Sequence, residues 1–140
     1  DGHRQVFTWY PTYTQPRRVT FDHRENYIPQ VSGDRIVWKG WEDRVAQVFT
    51  TEVGDETPRQ LTFSVRTVYA PRVSGDRIVF LREDASGNRP IYTWRANESG
   101  IEAVTDDGVD HHSATVSGDR ITWWAPVDGT NQVFTAVPAQ

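Results

Sequence analysis

"VSGDRIVW", Val31 to Trp38, is written again as "VSGDRIVF" at Val73 to Phe80 and as "VSGDRITW" at Val116 to Trp123. Recurrence at a fixed period of roughly 20–50 residues marks a solenoid, a propeller or an array of stacked units. Two further markers keep the same step. "QVFT" stands at Gln5 to Thr8, Gln47 to Thr50 and Gln132 to Thr135, and "PIYT" at Pro90 to Thr93, giving steps of 42, 43 and 42 residues. "RRVTF" (Arg17 to Phe21), "RQLTF" (Arg59 to Phe63) and "EAVTD" (Glu102 to Asp106) follow in register with them.

Each octet reads as a strand end, a tight turn and a second strand. "RIVW" and "RIVF" are β-branched and aromatic on both faces, as in a strand covered on both sides. Gly first in a two-residue hairpin loop suits a type II′ turn, where φ is positive. Gly33–Asp34, Gly75–Asp76 and Gly118–Asp119 are therefore expected to be structural turns. Helix signals are almost absent, and Gly, Pro, Asp and Ser punctuate the chain as in all-β folds. One unit then holds strand a (Asn26 to Ser32), strand b (Asp34 to Gly40), strand c (Ala46 to Glu52) and strand d (Arg59 to Phe63). Four antiparallel strands per unit predict the blades of a β-propeller, with a solenoid or a β-sandwich as the competing folds.

Composition narrows the function classes. The 140 residues suffice for one domain with a real core, and no Cys is present, which excludes disulfides and thiolate metal sites. The net charge of −4 is mild and the two signs are interspersed, unlike the basic face of a nucleic-acid binder. No apolar run approaches membrane-spanning length. A start at Asp1 without Met or signal peptide reads as a processed chain, a trimmed one or a fragment. Fourteen Arg stand against one Lys; Arg makes planar, forked contacts that Lys does not, although a codon bias of the source gives the same excess.

The pattern P-x-V-S-G-D-R-I-V-W, then V-F-T, then R-Q-L-T, resembles the TolB-like (PD40, or WD40-like) propeller repeat. Pro29 and Pro71, Ser32, Ser74 and Ser117, Ile91–Tyr92, and Leu61–Thr62 with Val19–Thr20 and Val104–Thr105 carry the likeness. Gly-Asp replaces the usual Asp-Gly, and Ala114 stands where the Pro belongs. The "SGDRIVW" variant is similar to repeats in bacterial and archaeal envelope and surface proteins, which implies an extracytoplasmic location. The resemblance covers nearly the whole chain and speaks to fold rather than function, because propellers host binding modules, scaffolds and enzyme-gating domains alike.

The organisation predicted is a single propeller segment, residues 1–140. Residues 1–22 give strands c and d of a split blade, 23–64 and 65–107 give complete blades, and 108–140 give strands a, b and c of a second split blade. Thirteen strands make three blades and a spare c, whereas propellers typically have about four to eight blades. An open arc leaves sticky blade faces and unpaired edges. A homo-oligomer is therefore expected, most simply a two-fold dimer with six blades, with a nine-bladed trimer less usual. Val6, Phe7, Arg17, Val19 and Phe21 at one end, and Ile121, Trp123, Val133 and Phe134 at the other, are the residues expected at the closure seam. Either c strand, Gln5 to Tyr10 or Gln132 to Val137, completes the split blade, and the other is displaced or forms an extra outer strand. A parent protein trimmed at both ends explains the overlap equally.

No catalytic grouping emerges: there is no G-x-S-x-G, no H-E-x-x-H and no glycine-rich phosphate loop. No enzyme activity and no cofactor are expected. "DDGVDHHS" (Asp106 to Ser113) suggests a metal site, but adjacent His111 and His112 point to opposite faces of a strand, so a turn entering strand a is the plainer reading. "DASGN" and "VDGT" lack the spaced carboxylates that Ca²⁺ needs. The repeats differ in their b–c loops ("KGWEDR", "REDASGNR", "WAPVDGTN") and d–a loops ("DHREN", "SVRTV", "DGVDH"), which share one face of a propeller. Trp41, Trp124, His23, Arg24, Arg66 and His111 are thereby expected on one rim, as anchors for a protein or glycan, or else as covers for blade edges. The Tyr- and Pro-rich "WYPTYTQP" (Trp9 to Pro16) is a second contact surface or a stiff connector. Three functional readings follow: a non-enzymatic binding or scaffold propeller, a carbohydrate-binding propeller, and an excised or engineered piece with no ligand. No nucleic acid and no membrane insertion is expected among its partners.

Overall fold

The structure, a computed structural model, describes residues 2–138. Among them the chain forms thirteen strands and no helix. Sheet 1 pairs β1 (Phe7–Thr8) with β2 (Arg17–Arg18). Sheet 2 runs β3 (Asn26–Ser32), β4 (Arg35–Glu42), β5 (Val45–Glu52) and β6 (Arg59–Gln60). Sheet 3 runs β7 (Val68–Ser74), β8 (Arg77–Arg82), β9 (Ile91–Arg95) and β10 (Ile101–Ala103). Sheet 4 holds β11 (His112–Ser117), β12 (Arg120–Val127) and β13 (Thr130–Ala136). Every pairing is antiparallel between neighbours in the chain.

The octets form the β3–β4, β7–β8 and β11–β12 hairpins. Ser32 pairs with Arg35, Ser74 with Arg77 and Ser117 with Arg120, leaving Gly-Asp as each two-residue loop. Gly33, Gly75 and Gly118 have φ of 55°, 56° and 57°, and the Asp that follows each is not in the positive-φ region, as a type II′ turn requires. Strand a then bulges in every unit, with Ile28, Ala70 and Ser113 at φ of 43°, 44° and 51°.

Two of the expected strands are longer than the pattern suggested. β4 and β12 run on to Glu42 and Val127, closing on β5 and β13 through the pairs Asp43–Arg44 and Asp128–Gly129. All four turn residues have positive φ, the signature of type I′. Trp41 and Trp124 therefore lie within strands, not in b–c loops.

Alternate residues of each strand b face the preceding and the following sheet. Ile36, Trp38 and Phe49 pack with Val6 between sheets 1 and 2. Val37 and Val48 meet Ile78, Phe80 and Trp94 between sheets 2 and 3. Val79, Leu81 and Ile91 meet Ala114 and Ile121 between sheets 3 and 4. Each unit stacks one aromatic of strand b on one of strand c: Trp38 on Phe49, Phe80 on Tyr92 and Trp123 on Phe134, with centroids 6.0, 5.9 and 6.0 Å apart.

Polar bonds repeat with the same period and explain the polar letters of the repeat. The buried Thr of "VT" or "LT" accepts a backbone N–H from strand c: Val6 to Thr20, Val48 to Thr62, Ile91 to Thr105, at 2.9–3.0 Å. Thr20 and Thr62 in turn donate to Gln5 and Gln47, the first letter of "QVFT". The Thr that ends the motif takes a guanidinium N–H from the octet: Arg35 to Thr50, Arg77 to Thr93, Arg120 to Thr135. The octet Ser links neighbouring sheets, for Ser32 Oγ accepts from Gly75 N at 2.9 Å and Ser74 Oγ from Gly118 N at 2.8 Å. Arg77, almost wholly buried, also donates across to Asp119 at 2.9 Å.

Candidate functional site

Where β4 runs toward its turn, Trp41 N donates to Glu25 O at 3.1 Å and ties the d–a loop to strand b. That bond brings His23, Arg24 and Trp41 together with His3, Glu25 and Asp43 around an open depression of about 550 Å³. Trp41 is 37% exposed and His23 is exposed. Arg24 is held from both sides by Glu42 and Asp22 and lies over the Phe49 ring. The Glu42 hydrogen bond holds its guanidinium above the usual arginine value. Burial opposes ionisation of Asp22, but hydrogen bonds from Asn26 and Arg24 outweigh it and keep that carboxyl below the usual range. The rim here is thus a preorganised polar frame with one indole face open.

The other expected rim residues lie apart from this depression. Arg66 is exposed, in a turn where its N–H donates to Ser64 Oγ. His111 is corrected from rim anchor to interior residue: it is 1% exposed, packs edge-on to Trp123, and reaches Asp107 at 3.2 Å. It takes the place of Asn26 and Val68 in the other units, both buried. Trp124 is half-buried and stacks on His112 at 4.0 Å. Register sets Trp41 opposite Glu83 and Pro126 of the other units, and Trp124 opposite Lys39 and Leu81, so the two indoles are not repeats of one position. Lys39 stands over the Tyr69 ring, and burial pushes its ammonium below the usual lysine value.

A second polar group, which motif reading missed, joins sheets 3 and 4. Arg89 forks onto Asp110 at 2.8 and 2.9 Å, reaches His112 Nδ1 at 3.0 Å and lies over Tyr69. Asp110 and His112, carboxylate and imidazole of "DDGVDHHS", meet each other at 3.2 Å and both contact the guanidinium. Its hydrogen bonds hold Asp110 below the usual carboxylate range. The "DASGN" loop closes on itself, with Asp84 Oδ1 accepting from Ser86 N and Asn88 N. Among the described residues eight arginines lie over aromatic rings, which gives the Arg excess a structural use.

Of the residues expected at the closure seam, Val6, Val19, Ile121 and Trp123 pack within the chain, whereas Phe7, Phe21, Val133 and Phe134 are exposed and Arg17 lies at the surface.

The arrangement is that of a β-propeller. The chain resembles the structure of a putative TolB from Agrobacterium tumefaciens (TM-score 0.67, 18% identity, covering 96% of this chain and 53% of that one). It also resembles the β-propeller domain of the trilobed protease from Pyrococcus furiosus, described as having an open velcro topology (TM-score 0.72, 13% identity, 94% and 40%). A third likeness is to the acylaminoacyl peptidase of Pyrococcus horikoshii (TM-score 0.73, 11% identity, 94% and 21%). No protein-family model matches the chain, and no curated protein is similar to it in sequence. The fold is a TolB-like propeller fold, and the chain spans from about a fifth to about half the length of these structures.

Proposed function

We propose that the chain is a non-enzymatic binding or scaffold segment of a β-propeller, that it works outside the cytoplasm, and that a second copy completes its ring. The observation that carries the binding role is the depression around Trp41, where an exposed indole stands among fixed charges. Stacking on the indole with hydrogen bonds from the frame suits a protein side chain or a sugar. The protein reading is favoured over a lectin, because a lectin would repeat the pocket and Trp41 has no aromatic counterpart at Glu83 or Pro126. Propellers of peptidases share the fold, but the polar clusters of this chain are ion pairs that satisfy one another, not a nucleophile with its base.

Trp41→Ala is expected to weaken binding at least about tenfold, as loss of an interface aromatic does, with little change in melting temperature. A peptide library and a glycan array, each probed with both proteins, measure it. Equal binding by the variant, or a matching loss of stability, would return Trp41 to the role of an edge cover.

A further inference from the structure

Among the described residues sheet 1 has two strands and sheet 4 has three, and both contain "QVFT". In sheet 1 the motif is β1, and it is poorly housed. β1 pairs with β2 over two residues, as β5 does with β6, but among the described residues no strand b lies beside it. Phe7 is 57% exposed, because the aromatic on which its counterparts Phe49, Tyr92 and Phe134 stack is missing. In sheet 4 the motif is β13, and it is well housed on one side only. It pairs with β12 over seven residues, stacks Phe134 on Trp123, and binds Arg120 through Thr135. Yet Val133, whose counterparts Val6, Val48 and Ile91 are buried against the following sheet, is 82% exposed. No strand pairs with the free edge of β13 among the described residues.

We propose that β1 is a stand-in, and that the β13 of a second copy replaces it when the ring closes; the proposal rests on the ring-closure reading above. The substitution is residue for residue. Val133 of one copy enters the slot of Val6 against Ile36, Trp38 and Phe49 of the other, and its backbone N–H meets Thr20 where that of Val6 does now. Gln132 takes the place of Gln5 as acceptor for the Thr20 hydroxyl. β2 then pairs with β13, Arg18 opposite Phe134 and Arg17 opposite Thr135, as it now pairs with Phe7 and Thr8. The exchange keeps the backbone pairing of β2, gives up the contact of Arg17 with the Tyr13 ring, and sets strands a and b beside that sheet. Thr122 and Trp124, on the open face of sheet 4, are brought onto Val31 of the other copy, itself exposed now. The occupant is a second copy, whose β13 carries the same tetrapeptide already joined to strands a and b. The redundant c strand is thus β1, displaced with the "WYPTYTQP" segment.

The experiment is sedimentation velocity on the full chain and two variants, with cysteine pairing as a second readout. Val133→Asp places a carboxylate on a surface of the free chain but in the core of the exchanged one. It is expected to raise the dimer dissociation constant at least about 100-fold, since an unpaired buried carboxylate is strongly disfavoured. Val6→Asp evicts the stand-in and is expected to leave dimerisation unchanged or tighter. Because Val6→Asp also disturbs a packed core, Arg18→Cys and Phe134→Cys proteins are mixed under oxidation. The chain has no other thiol, and a disulfide joining the two variants is expected. A dimer lost with Val6→Asp and kept with Val133→Asp, or no mixed disulfide in a dimer that does form, overturns the exchange while sparing ring closure. A wild-type chain that stays monomeric overturns both.

Discussion

The hydroxyl of Thr62 shows how a single atom carries the repeat. It is buried, accepts the N–H of Val48 at 2.9 Å and donates to Gln47. Thr62→Val keeps the shape and removes the acceptor, leaving a backbone N–H unpaired in the interior. The expected loss is about 1–3 kcal/mol, the usual penalty for orphaning a buried donor, read from urea unfolding. A variant as stable as the parent would mean that water or a shifted backbone satisfies Val48. Ser32 and Ser74 act likewise between sheets, their hydroxyls accepting from Gly75 and Gly118. The recurrence of these letters was plain in the sequence. Their chemistry was not, because partners 14 and 43 residues away do not show in a local pattern.

At the scale of the element, the II′ turns were legible because Gly in a two-residue loop has a narrow meaning. Gly75 has open space where a Cβ would stand, so any substitution penalty there is backbone alone. Gly75→Val is expected to destabilise by about 1 kcal/mol or more, measured by thermal melting; an unchanged melt would contradict the turn assignment. The turn at Asp43–Arg44 was not legible, since it adopts the I′ conformation without Gly or Asn. That is why Trp41 was expected in a loop and lies in a strand. His111 was expected at the rim because it ends the d–a loop "DGVDH", but its register position is an interior one. The d–a connection before β11 carries a pH dependence of its own. Asp110 is held below the usual carboxylate range by Arg89, so the pair contributes stability that is fully present above the ordinary aspartate pKa. The contribution is lost as the pH falls through the lower folded-state value. Asp110→Asn is expected to be less stable than the parent near neutrality, with the difference shrinking toward strong acid. A difference that does not depend on pH would place the effect in packing instead.

For the whole molecule, three cores each fill the space between successive sheets, and the series has two ends. Val31 at one end and Val133 at the other are bare where their counterparts Val73, Val48 and Ile91 are covered. Were a second copy to cover both, burying even a few hundred Å² of apolar surface at each seam would contribute several kcal/mol at roughly 25 cal/mol per Å², against a single loss of rigid-body freedom. That is the physical content of the claim that a second copy closes the ring. The most direct measurement is sedimentation equilibrium of the purified chain at micromolar concentration. One species with the mass of two 16.0 kDa chains is expected. A well-folded species of 16.0 kDa that does not grow with concentration would contradict it.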